Sequence, residues 1–197
     1  MGCCTSIEAV SSNSCDTIVE KTRIDVSTQS DSNKNDSNKN DLDKIESYIK
    51  TDCDYRHSIG SKIDVEKQLK MQRIEIICMG CFISSIKNNS DIEILVRDKF
   101  LEGGKYRPDL IYRKGKRIYH VEIDENAHGS YDKEKEEERY GFIKNYCRTN
   151  YNSYNLVRFN PNVYGKLQTE FDKRRIAEQF ANLLNNIDGL IKYENEK

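Results

Sequence analysis

Two alternating runs joined by Lys114-Gly115-Lys116 constrain this chain more than any other feature. Residues 107–124, RPDLIYRKGKRIYHVEID, read as a β-hairpin with strands over 106–113 and 117–124. Strand side chains alternate, so Ile118, His120, Glu122 and Asp124 share one face, and Tyr119, Val121 and Ile123 form a plain core face. On the first strand Asp109, Ile111 and Arg113 fall together.

The turn decides which residues meet. Gly115-Lys116 suits a two-residue type II′ loop, which pairs Lys114 with Arg117 and sets Asp109 opposite Glu122. Directly opposed carboxylates lie only about 5 Å apart at their β-carbons and repel, unless a cation sits between them. A Lys114-Gly115 loop pairs Asp109 with His120 instead, and a three-residue loop sets Asp109 opposite Val121. The plainest alternative is an acidic face turned to water. Pro108 just before Asp109, the clustering of the acids and the polar helix that follows favour a site.

Asp109, Glu122 and the carbonyl of Ile123 are the hard oxygen donors that Mg²⁺ prefers, with Mn²⁺ as a substitute. Such an ion would activate water and stabilise charge on a phosphoryl oxygen. Paired carboxylates also serve glycosidases, but the chain has no Trp for a sugar platform.

The chain has 197 residues, enough for one domain and a tail. Residues 1–42 are polar and aperiodic, with a repeated DSNKN unit between Asp31 and Asp41, and read as a disordered tail; 43–197 read as the folded domain. Within it, 43–58 and 62–72 read as helices, 74–83 (IEIICMGCFI) as an apolar β-rich run, and 91–100 as helix or strand. The segments 132–148 and 171–191 read as helices and 154–161 as a strand. Ile176, Phe180, Leu183, Leu184 and Ile187 line one face of the last helix. This order suits an α/β or α+β sandwich.

With Arg107-Pro108-Asp109 and Val121-Glu122-Ile123-Asp124 on one hairpin, the chain resembles the PD-(D/E)XK, or restriction-endonuclease-like, nuclease superfamily. Its spacing is most like the very-short-patch-repair-like branch, which is frequent in large DNA viruses. The resemblance spans roughly 91–165 and rests on RPD, VEIDENAH, the stretch from Tyr131-Asp132 to Arg139, and Arg158-Phe159-Asn160-Pro161. It implies an αβββαβ core, with a central mixed sheet flanked by helices, and Mg²⁺-dependent phosphodiester hydrolysis. Asp109 and Glu122 match the family's metal ligands, and Asp124 stands where the motif usually has Lys. The related branch often carries this Asp with a following His, which gives His128 an acid/base role. Lys133 or Lys135 is then a candidate relocated lysine, and Glu66 or Glu75 the upstream acid.

Among the other residues, Arg139 and Arg158 are candidates to contact the scissile phosphate. Lys105, Arg107, Arg113, Lys114, Lys116 and Arg117 form a local basic patch able to track a phosphate backbone. The net charge of −1 requires such a patch if nucleic acid, DNA before RNA, is the partner. Cys78-Met79-Gly80-Cys81 has zinc-knuckle spacing, but no second pair completes four ligands, so core thiols are expected. Seven cysteines without a secretory signal point to a reducing, intracellular and cytoplasmic setting. Met1-Gly2-Cys3-Cys4-Thr5-Ser6 fits an acylation signal, with Gly2 for myristate and Cys3 and Cys4 for palmitate, and so a membrane tether. The expected function is a metal-dependent nuclease. The alternatives are an inactive nucleic-acid-binding module and a lipid-anchored interaction protein on the same scaffold.

Overall fold

The computed structural model describes residues 3–11, 22–26, 36–124, 132–161 and 169–195. The chain divides into two compact units, one built from helices and one from a sheet.

The helical unit contains α1 (Asp36–Ser58), α2 (Val65–Met71), α3 (Ile74–Ile86) and α5 (Glu170–Asn195). Helix α3 packs against both α1 and α5. Its core brings Ile45 and Ile49 of α1 together with Ile77, Met79 and Phe82 of α3 and Phe180 and Leu184 of α5, and the Phe82 and Phe180 rings meet edge to face at 6.4 Å. The apolar stripe expected on α5 is the buried one: Ile176, Phe180, Leu183, Leu184 and Ile187 all lie inside.

The run 74–83, expected as β-rich, is helical instead. Ten of the thirteen residues of α3 are buried, including Ile74 to Phe82 without a break. A helix covered all round has no polar face, so its sequence shows no 3.6-residue rhythm and its β-branched residues imitate a strand. The two cysteines of that run sit in this core as free thiols. Burial pushes the Cys81 thiol up to about 11, although a hydrogen bond from Tyr48 acts the other way.

The sheet unit holds β3 (Ile92–Arg97), β4 (Leu110–Lys114), β5 (Arg117–Ile123), α4 (Lys133–Tyr151) and β6 (Asn155–Asn160). Strands β3, β4 and β5 are antiparallel neighbours, and β6 lies parallel to β5. The chain order α3-β3-β4-β5-α4-β6 is the αβββαβ order expected, and the fold class is mixed α/β. The ambiguous 91–100 segment resolves as strand β3.

Two segments inside the stretch read as a tail are strands: β1 (Cys3–Ser11) and β2 (Thr22–Val26) extend the sheet to the order β2-β1-β6-β5-β4-β3. Helix α1 also begins within that stretch, at Asp36. Strand β1 runs antiparallel to β6, with Ser6 opposite Asn160. Strands added beyond the central ones gain ladder hydrogen bonds whatever their side chains, so hydrophobic rhythm need not announce them.

Helix α4 crosses the sheet with Ile143 and Cys147 in a cluster with Leu101, Ile111, Ile118 and Tyr154. Its start is capped by Asp132, whose side chain accepts from the Glu134 N–H at 3.1 Å, and its end by Asn152 in the left-handed region (φ 56°). The other face of the hairpin stacks Tyr112 on Tyr119 at 5.1 Å. Strand β5 is buried along nearly its whole length.

Candidate active site

The hairpin turns as the two-residue loop requires. Lys114 pairs with Arg117, and Gly115 takes a positive φ of 56° while Lys116 does not, as in a type II′ turn. Counting back along the ladder from Leu110 opposite Val121 sets Asp109 opposite Glu122. The Asp109 carboxylate reaches across and accepts the Ile123 N–H at 2.8 Å.

The acids do not face water. Glu122 is 2 % exposed and Asp124 4 %. They point to the side of the sheet that α4 covers, and protein cations meet them there. On α4, Glu136, Arg139, Tyr140, Ile143 and Cys147 recur at helical spacing, so one stripe runs from apolar over the cluster to polar over the acids. Arg139 Nη2 donates to Glu122 Oε2 at 2.7 Å and also to the Arg107 carbonyl at 3.3 Å. Fully buried His120 places Nε2 at 2.5 Å from Glu122 Oε1 and Nδ1 at 3.2 Å from the Tyr154 hydroxyl.

The neighbouring acid has its own cation. Arg158, beside Glu122 in the parallel β5–β6 register, donates Nε to Asp124 Oδ2 at 2.7 Å and Nη2 to Glu136 Oε1 at 3.2 Å. The Asp124 N–H continues the sheet to the Phe159 carbonyl at 2.8 Å. Tyr140 lies among these groups, its hydroxyl donating to Glu136 at 3.2 Å and its ring lying under both guanidinium groups.

The electrostatics follow from this pairing. Burial opposes ionisation of Glu122, but His120 and Arg139 outweigh it and hold the carboxyl below the ordinary glutamate range. Arg139 and Arg158 are both held charged; burial works against them, and Glu122 and Asp124 respectively overcome it. Tyr140 stays a neutral phenol, chiefly through burial.

The structure therefore gathers Asp109, Glu122, Ile123, Asp124, Arg139 and Arg158 at one end of the hairpin. Lys105 and Arg107 lie at that end too, Lys105 paired with Glu138 of α4 and Arg107 with Asp98. Lys114, Lys116 and Arg117 lie at the turn, about 17 Å away along strands that rise roughly 3.4 Å per residue. The basic residues of 105–117 are thus two groups and not one patch, because a hairpin's turn and open end are its farthest points.

His128 and Gly2 lie outside the described residues, and Cys3 and Cys4 open strand β1. Lys133 and Lys135 are exposed on the first turn of α4. Glu66 is exposed on α2, and Glu75 is buried on α3 with Arg73 Nη2 at 2.8 Å. Sequence reasoning missed the parts played by Tyr140, Tyr154 (read only as a packing or base-stacking tyrosine), Glu136 and Arg97. The last is fully buried on β3 and donates to the Asp109 carbonyl at 3.0 Å. The helical spacing of 136, 139, 140 and 143 is the signal that could have found the first and third.

Among the described residues, no three His, Cys, Asp or Glu side chains are gathered as a metal cluster, and no helix is long and apolar enough to cross a membrane. No family model, curated protein or solved structure matches this chain.

Proposed function

We propose that the chain is a metal-dependent nuclease of the restriction-endonuclease-like class, acting on DNA in preference to RNA. The observation that carries this reading is the opposition of Asp109 and Glu122 at the open end of the hairpin within an αβββαβ order. Phosphodiester hydrolysis needs concentrated negative donors for a divalent ion and positive groups for the phosphate, and both kinds of residue converge here.

The donor chemistry suits Mg²⁺, which typically takes one or two carboxylates and completes its shell with water and phosphate oxygens. Asp109 and Glu122 would hold it, with the Ile123 carbonyl as the third donor. When bound, the ion would supply Lewis-acid stabilisation of a phosphoryl oxygen and a more acidic water.

The chain's own residues do the rest. His120 and Arg139 hold the two oxygens of Glu122 in a fixed orientation. Asp109, by accepting the Ile123 N–H, is fixed against the same strand. Arg158 donates to Asp124 at the position where the motif lysine is expected, and its guanidinium is a candidate for a phosphate oxygen.

One observation favours a second reading, a nucleic-acid-binding module without catalysis. Both oxygens of Glu122 are already engaged within the protein, one by the Arg139 guanidinium and one by the His120 ring.

The test is cleavage of labelled single- and double-stranded DNA and RNA with Mg²⁺, with Mn²⁺ and with EDTA. Wild type is run beside Asp109→Ala and Glu122→Ala. Metal-dependent cleavage lost in both variants is the expected result. Well-folded wild type that cuts none of the substrates would overturn the catalytic reading, and salt-sensitive binding would then select the second.

A further inference from the structure

We propose that the loop over 98–107 is a stacking platform for an unpaired base of single-stranded nucleic acid, with Phe100 as the ring. The proposal rests on the reading of the adjoining site as one that acts on nucleic acid, and it names the strand form recognised.

The loop is a built surface. Asp98 turns the chain out of β3 in the left-handed region (φ 45°), and its N–H donates to the Asp109 carbonyl at 3.2 Å. Leu101 goes into the cluster under α4, and its N–H donates to the Tyr106 carbonyl at 3.0 Å. Tyr106 rests on Phe142 of α4 at 5.3 Å. Gly103 (φ 95°) and Gly104 (φ 73°) make the reversal that only residues lacking a β-carbon take easily.

With both flanks anchored, Phe100 is left 57 % exposed. The Arg107 guanidinium lies 5.7 Å from its ring centroid and is oriented by Asp98 at 2.8 Å. Lys99 is exposed next to it.

An outward aromatic ring beside cations is the pairing that binds single strands: the ring takes a base face and the cations take the phosphates. A duplex cannot use such a ring, because its base faces are already stacked.

The platform is also joined to the acids. Arg139 donates from one nitrogen to the Arg107 carbonyl and to Glu122.

The test is fluorescence anisotropy of the full chain with labelled single-stranded and duplex DNA of equal length, in EDTA so that nothing is cut. Wild type is compared with Phe100→Ala and Phe100→Tyr, and circular dichroism checks each fold. Phe100→Ala is expected to weaken single-strand binding about tenfold, a loss of the size that one stacked base contributes, with little change for duplex and recovery in Phe100→Tyr. Equal single-strand affinity of Phe100→Ala and wild type overturns the platform, as does an absence of binding. The two readings fail separately. Metal-dependent cleavage with no Phe100 effect on binding removes the platform and leaves the nuclease. Phe100-dependent binding without cleavage removes the nuclease and leaves the platform.

Discussion

At its turn the β4–β5 hairpin carries Lys114, Lys116 and Arg117, close to solvent. At its open end the same two strands carry Asp109, Glu122 and Asp124, and the last two are buried under α4. The charges at the turn are screened by water, where exposed pairs contribute little. At the open end Arg139 and His120 reach Glu122 from α4 and β5, and Arg158 reaches Asp124 from β6. One hairpin thus shows that the sign of a charge says less about its role than the coverage above it.

The strongest way to break this contrast is Arg139→Ala, which leaves Glu122 buried without its guanidinium partner. Loss of about 3–5 kcal/mol is expected in urea unfolding, the usual cost of stranding one member of a buried ion pair. Acid should reach the same pair by titration. Because Glu122 ionises below its ordinary value, its contribution is fully present above the unfolded glutamate value, and is lost as pH falls through the lower folded value. Stability measured from pH 7 downward should therefore fall below about pH 4.3, the ordinary glutamate value, and Glu122→Gln should flatten that limb. If the two proteins show the same acid limb, the pairing does not hold Glu122 charged.

A smaller effect sharpens the contrast. Tyr154→Phe removes only the hydroxyl 3.2 Å from His120 Nδ1, and about 1 kcal/mol is expected by the same unfolding measurement. At the turn, Lys116→Ala should stay within about 0.5 kcal/mol of wild type. A loss as large as that of Arg139→Ala would dissolve the distinction between the two ends.

What could be read from the sequence was whatever is local. Gly115-Lys116 specified the register, and the register set Asp109 opposite Glu122. The last helix announced its stripe because one face stays wet. Helix α3 hid because no face does. The partners of the acids were hidden for a different reason. Arg139 lies 17 residues from Glu122, and Arg158 lies 34 from Asp124. Only the fold brings either pair within reach. Lysines and arginines adjacent in sequence suggested one basic patch, whereas the strands carry them to opposite ends.

The helical unit contains a feature whose consequence is experimental. In α3, a β-carbon built on Gly80 would overlap the carbonyl oxygen and carbon of Tyr48 on α1. Backbone on both sides leaves no rotamer to adjust, so the two helices touch main chain to main chain. Gly80→Ala is therefore a wedge between α1 and α3 that changes no residue of the hairpin. Melting followed separately at the tyrosines of the sheet and at the helical signal would then tell whether the two units unfold as one cooperative body or as neighbours.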